Sequence, residues 1–295
     1  MRFAVLIFLR YINNNNMNTK TIIVGTDFSK GSYVALDVAT DIANKLIANI
    51  ELIWVCKEKN LFSDEQTESL RVLAMEKLST LAKEYGKKLT KTTIEWKVLD
   101  GKVATVIAKE AERINASMIV IGTNGASGFE KYWMGSTAVR IVQEANCPTL
   151  SIREGFNYHK NLERIVAPLN MTENSRQKIP VVANMAKIFG STVHLLGLIE
   201  QRSEESTIDI YLHQAEKYLS DMGIPFVSEK MLTKNLSADT LEYAESISAD
   251  LIIITTEQEN ILSTLFIGTH AQQIIHHSLI PVLSSHPRDI GSLAR

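Results

Sequence analysis

Residues Ile119 to Val142 read IVIGTNGASGFEKYWMGSTAVRIV. The apolar run that ends at Gly122 has the pattern of a buried strand. Gly122, Gly125 and Gly128 then follow three apart, and Gly135 opens a helix-like run. Glycine costs conformational entropy, so a strand end that carries this much of it needs backbone freedom or close approach. Open α/β sheets bind ligands beyond the carboxyl ends of their strands, where strand order reverses. The stretch therefore predicts such a sheet, with a loop built to approach an anionic ligand.

The flanking sequence alternates strand and helix patterns. TIIVG (Thr21–Gly25) is a β-branched strand, and Tyr33 to Ile47 places Ala35, Val38, Ala39, Ile42, Ala43 and Leu46 on one helical stripe. Strands are expected at Asn49–Val55, Thr92–Leu99, Ser117–Gly122 and Pro148–Ile152, and helices at Ser63–Tyr85, Val103–Ile114 and Ser136–Ala145. Alternation of this kind argues for a parallel sheet covered on both faces. The pattern then restarts: RIVAPLN (Arg164–Asn170) mirrors TIIVGTD, and strands at Ser191–Leu198 and Pro225–Leu232 bracket a helix at Ile208–Met222, with another at Ser237–Ser248. Gly135 maps onto Gly268 and Cys147-Pro148 onto Ile280-Pro281 at a single offset of 133. A shared glycine and a shared pre-strand proline at one offset indicate duplication. The expected organisation is an extension at 1–17, disordered or mis-assigned; one domain at 18–154; a linker near Arg153–Asn161; a second domain at 161–287; and a tail at 288–295.

Composition limits the function classes. The chain has 295 residues, 45% hydrophobic and 22% charged, and either half is long enough to bury its own core. A net charge of −2 supplies no field that would gather nucleic acid. Cys56 and Cys147 form no spaced framework and fit reduced thiols in a cytoplasmic protein. The apolar run Phe3–Leu9 is too short to span a bilayer, and Asn13–Asn16 supply no small-residue cleavage site. Met17 is the expected working start, a short membrane-attached leader being the alternative; no membrane partner is otherwise expected.

The quoted loop has the parts of an anion site. Gly122 and Gly125 are expected to turn with positive φ and to admit a ligand where a β-carbon would block it. Gly135, Ser136 and Thr137 stand at a helix start, whose first amides lack internal partners and carry the positive end of the dipole. A phosphate there gains bonds to N–H groups and to both hydroxyls. A β-carbon at any of these glycines is expected to hurt binding more than folding. No Gly-Lys-Ser/Thr ending makes this a P-loop, and the glycines do not fit G-x-G-x-x-G. The second loop of interest, GTDFS (Gly25–Ser29), leaves the first strand. Residue type alone leaves Asp27 open between a ligand contact and a helix N-cap.

Gly122, two residues, Gly125, nine residues, then Gly135-Ser136-Thr137 resembles the ATP-binding motif of the universal stress protein family. IIVGTDFSKGSYVAL, ASMIVIGTNG and MGSTAVRIVQEANCPTLSI resemble that family's first strand, fourth strand and closing helix-strand unit. The likeness is strong over Lys20 to about Arg153 and weaker over Asn161–Pro287. It implies an α/β fold of two tandem five-stranded parallel-sheet sandwiches, each of strand order 3-2-1-4-5 with helices on both faces. It also implies ATP, with or without Mg2+, as ligand. Asp27 would meet the adenosine and Thr26 would shape that wall. Val55 would meet the adenine through its backbone, and Gly122, Gly125, Gly135, Ser136 and Thr137 would hold the phosphates. Family members commonly pair through their last strands; here PTLSI and PVLSS could make an intramolecular pseudo-dimer, with a homodimer also open.

The second copy departs from the motif. Thr255 replaces Gly122, Gln258 replaces Gly125 and Asn170 replaces Asp27, while Gly268 and Thr269 survive. Glu257 and Glu259 add negative charge. ATP is therefore not expected there in the family's way. His270, His276 and His277 cluster on the last helix without completing a ligand set, so no metal site is expected. Trp54 and Trp96 look like strand core, and Trp133, with Phe129 and Tyr132, lies in the nine-residue loop. No catalytic residues are assigned; the expected role is stress-response nucleotide sensing, against a nucleotide-free scaffold or a slow ATP hydrolase or phosphotransferase working through a partner.

Overall fold

Ile22, Ile23 and Val24 are all fully buried, yet they serve two different layers. Side chains alternate across a strand, so Ile22 and Val24 join one apolar cluster and Ile23 the other. A strand buried on both faces needs a continuous apolar run, which TIIVG supplies.

The computed structural model describes residues 20–56, 64–123, 136–156, 158, 161–256 and 269–286. In the first repeat, β1 (Thr21–Gly25), α1 (Lys30–Leu46), β2 (Asn49–Cys56), α2 (Asp64–Gly86), β3 (Ile94–Asp100), α3 (Val103–Arg113), β4 (Met118–Gly122), α4 (Ser136–Glu144) and β5 (Thr149–Ile152) follow in turn. The second repeat runs β6 (Arg164–Leu169), α5 (Ile179–Phe189), β7 (Thr192–Ile199), α6 (Glu205–Asp221), β8 (Phe226–Leu232), α7 (Leu236–Ser246), β9 (Leu251–Thr255), α8 (Thr269–His277) and β10 (Val282–Ser285). Helix α1 begins three residues before the expected start at Tyr33, because Ser29 caps it by accepting from the Ser32 amide. Ile47, at φ 53°, ends it. Helix α5 fills a stretch to which the sequence pattern assigned no element.

Each repeat has the expected order 3-2-1-4-5, but the two halves are not separate sheets. Strand β5 pairs antiparallel with β10, giving one ten-stranded sheet ordered β3-β2-β1-β4-β5-β10-β9-β6-β7-β8. The other pairings are parallel. Helices α1, α2, α5 and α6 cover one face, and α3, α4, α7 and α8 the other, so both apolar layers run through both repeats. The seam is short, with Ser151, Leu150 and Thr149 opposite Val282, Leu283 and Ser284. Two residues just beyond these strands reinforce it at the offset of 133: Arg153 donates to the Ser278 carbonyl (3.3 Å), and His286 Nε2 meets the Val142 carbonyl (2.6 Å). Each reaches a carbonyl near the carboxyl end of the other repeat's last helix, where the dipole favours a donor. Trp54 and Trp96 are half-buried against the α1–α2 side; Trp133 lies outside the described residues.

Both repeats place a polar network at the same three positions of their second strand, third strand and third helix. In the first, Lys97 Nζ reaches Glu51 (2.7 Å) and Glu110 (2.6 Å), and Arg113 closes on Glu110. In the second, the Tyr243 hydroxyl donates to Glu229 (2.9 Å) and lies 3.0 Å from His194 Nδ1. The Arg113 hydrogen bond, with Lys97, holds the Glu110 carboxyl down at about 2 against the effect of burial, whereas burial pushes Glu51 up. A lowered carboxyl stabilises the fold above its ordinary value of 4.5, and that stabilisation is lost as pH falls from 4.5 toward 2. Urea melts between pH 5 and 3 should therefore show a steeper loss in the wild type than in Glu110→Gln; equal slopes would contradict the pairing.

Candidate functional site

Strand β1 pairs with β2 on one side and with β4 on the other, Gly25 standing opposite Ile121. The chain leaves β1 toward β2 and returns on the far side as β4, which makes the β1–β4 boundary a topological switch point. The loops after Gly25 and after Gly122 thus leave the same edge of the sheet.

The loop after β1 is tightly organised. Thr26 is buried; its amide donates to the Ile53 carbonyl (2.9 Å), and its Oγ1 accepts from the Phe28 amide (3.1 Å) and lies 3.0 Å from Ser32 Oγ. Asp27 is exposed, and its Oδ1 accepts from the Ser29 amide at 3.0 Å. The N-cap is Ser29, so the capping role left open for Asp27 is taken by its neighbour. Phe28 holds φ 62°, a left-handed conformation that costs a non-glycine residue energy and is found where surrounding structure imposes it. Its ring packs 5.1 Å from Lys77 Nζ. Val55 is buried one residue from the end of β2, beside Leu99 of β3.

Gly122 has a role the sequence did not reveal. It is absent from the positive-φ residues, contrary to expectation. Its missing side chain instead makes room for the start of α1: a β-carbon would stand 2.6 Å from the Gly31 carbonyl carbon and 2.7 Å from the Ser32 nitrogen. Replacing this glycine strikes packing first, not binding first. Gly31 and Ser32, both buried, are the partners that sequence reasoning missed; a small pair in the first turn of a helix was the available signal.

Ser136 and Thr137 are exposed at the first turn of α4, which carries no acidic residue. The first amides of any helix lack intrahelical partners, and the dipole puts its positive end there. Gly125 and Gly135 lie outside the described residues.

The second repeat is remodelled at the matching place. Asn170 repeats the Asp27 turn, its Oδ1 accepting from the Thr172 amide (3.3 Å) and hydroxyl (2.7 Å). Helix α5 ends at Phe189, as α1 ends at Leu46, yet spans 11 residues against 17. The missing turns appear as a 3-10 turn at Glu173–Arg176. Two substitutions account for this. Pro180 cannot continue a helix backwards through its own position, and Thr255 carries the β-carbon for which the first repeat has no room. The crevice is altered but not sealed: a cavity of about 60 Å3 remains, lined in part by Asn170, Lys178 and Thr255. Gln258, Glu257, Glu259 and Gly268 lie outside the described residues, and among those described no cluster of three metal-binding side chains occurs.

The fold has known counterparts. The model of the universal stress protein family matches residues 18–153 and again 161–285. Universal stress protein MJ0531 of Methanocaldococcus jannaschii is 32% identical over 162 residues, 51% of this chain and 95% of that protein. Universal stress protein A homolog 1 of Coxiella burnetii is 28% identical over 144 residues, 46% of this chain and 97% of that protein. The crystal structure of a universal stress protein from Archaeoglobus fulgidus shares the fold over 92% of this chain and all of its own, at a TM-score of 0.76 and 18% identity. A putative universal stress protein from Pseudomonas aeruginosa does so over 93% of this chain and 96% of its own, at 0.65 and 18%. With both halves matched in tandem and one sheet running through them, the chain belongs to the universal stress protein family as a two-repeat member.

Proposed function

We propose that the first repeat binds ATP, with or without Mg2+, at the β1–β4 switch point, and that the chain serves as a cytoplasmic stress-response module sensing adenine nucleotide. The observation that carries this is the pairing of β1 with β4, which sends the two loops selected from sequence out of one sheet edge. Asp27 meets the adenosine beside Thr26, and the backbone at Val55 meets the adenine. Gly122, Gly125, Gly135, Ser136 and Thr137 form the phosphate side, Gly122 by seating α1 so that the loop beyond it is correctly placed. The α4 start favours negative charge, each exposed dipole contact contributing only about 0.3–1 kcal/mol, so several amides act together. The buried thiols of Cys56 and Cys147 suit a reducing compartment, and no helix among the described residues is long and apolar enough to cross a membrane.

Calorimetric titration of ATP against wild type and Gly125→Val tests the proposal. Saturable binding to the wild type, weakened at least about tenfold in the variant (~1.4 kcal/mol) with unchanged circular dichroism, is the expected outcome. No heat with either protein would instead make the chain a nucleotide-free scaffold.

A further inference from the structure

The seam between the repeats uses up β5, because β10 occupies its free side. The two outer edges of the sheet remain: among the described residues β3 pairs with β2 alone and β8 with β7 alone. In β3 the Thr93 carbonyl accepts from the Ile50 amide and the Gly101 amide donates to the Cys56 carbonyl, so odd-numbered residues turn their backbone groups toward β2. The backbone groups of Ile94, Trp96 and Val98 therefore point away from the sheet, where a further strand could bond to them. The side chains of these three are half-buried against the α1–α2 side, and those of Glu95 and Lys97 alternate with them on the opposite face. Arg71 of α2 pairs with Asp100 of β3, which sets that flank of the helix over the edge. Met75, one turn further along the same flank, is 43% exposed, and Val72 beside it 47%.

An edge of this composition is self-complementary. A twofold axis normal to the sheet joins two copies of one strand antiparallel and keeps each face continuous, so residues of like parity stand opposite one another. With the axis at Trp96, Ile94 stands opposite the partner's Val98, and the outward backbone groups of all three residues meet in hydrogen-bonded pairs. Glu95 then stands opposite the partner's Lys97, twice per interface, at the positions where cross-strand side chains approach more closely. Lys97 belongs to the network with Glu51 and Glu110, yet its side chain keeps 32% of its surface exposed. Moving the axis by one residue sets Glu95 or Lys97 against its own twin, a like-charge pair, and moving it by two removes the pairing of opposite charges. The other edge has no such register. Strand β8 turns Phe226, Ser228 and Lys230 outward, and its adjacent Glu229 and Lys230 differ in parity and never stand opposite each other. We propose that the chain forms a homodimer by antiparallel pairing of β3 with β3 of a second copy, centred on Trp96. This rests on the sheet edge and is independent of the reading of the first repeat as an ATP site.

The test is sedimentation equilibrium of the full chain across the micromolar range, in wild type and Glu95→Lys. Glu95 is exposed, so the substitution leaves the fold in place while setting two ammonium groups against each other at both charged positions of the interface. Wild type should reach twice the mass of one chain, and Glu95→Lys should dissociate at least tenfold more readily with unchanged circular dichroism. Hydrogen exchange gives a second reading in wild type: the amides of Ile94, Trp96 and Val98 should gain protection as concentration rises, and those of Phe226, Ser228 and Lys230 should not. A wild type that stays monomeric, assembles beyond a dimer, or dimerises without protecting the β3 amides overturns the proposal. A dimer equally stable in Glu95→Lys overturns it too. Should circular dichroism show that Glu95→Lys has not folded, the exchange pattern of the wild type decides.

Discussion

Gly122→Val should destabilise the first repeat by about 3 kcal/mol or more, at the upper end of what overpacking costs. The added β-carbon meets backbone, not a side chain that could swing away, at 2.6 Å, 2.7 Å and 2.9 Å from Gly31 and Ser32. Relief requires α1 to move outward, and Ser32 would then lose its bond to Thr26 and its place against the Ser29 cap. The second repeat shows where that leads: with Thr255 at the matching position, the helix start is replaced by a 3-10 turn. A clear fall in the urea midpoint is expected for Gly122→Val, while Gly125→Val affects ATP binding and leaves the midpoint in place. An unchanged midpoint for Gly122→Val would mean that the close contact with α1 does not exist.

Leu283→Asp should be comparably damaging, about 3–5 kcal/mol, the cost of an uncompensated buried charge. Leu283 and Leu150 face each other across the only antiparallel pairing in the described sheet, and both are fully buried. The seam has three residue pairs, so it has little to spare. A carboxylate at its centre should part the repeats or unfold them, seen as a lower urea midpoint together with a larger maximum dimension in small-angle scattering. A variant with both quantities unchanged would show that the ten-stranded sheet does not form in solution.

What was legible in the sequence follows from what is local. The continuous apolar run in TIIVG and the stripe from Ala35 to Leu46 mark elements that the structure places within a few residues, because a doubly buried strand and a one-sided helix each impose their own pattern. The single offset of 133 revealed the duplication, and the same offset relates Arg153 to His286 at the seam. The unreadable parts depend on residues far apart in the chain. Gly122 looked like a ligand-facing turn because its neighbour Gly31 lies 91 positions earlier, and nothing local marks that contact. Phe28 gives no sign in its residue type of a left-handed backbone. Pro180 was visible, but its effect depends on Thr255, and Lys178 became a cavity residue only once that helix start had moved. The networks at Glu51–Lys97–Glu110 and His194–Glu229–Tyr243 share positions but carry a different residue at each, so no comparison of letters would pair them.

The most direct measurement is a crystal of the full chain soaked with ATP. The account predicts one adenine nucleotide per chain, its adenosine beside Asp27 and its phosphates at the Ser136–Thr137 helix start, with no adenylate in the crevice at Asn170 and Thr255. Adenylate in the second crevice, or a first crevice that remains closed at saturating ATP, would contradict it.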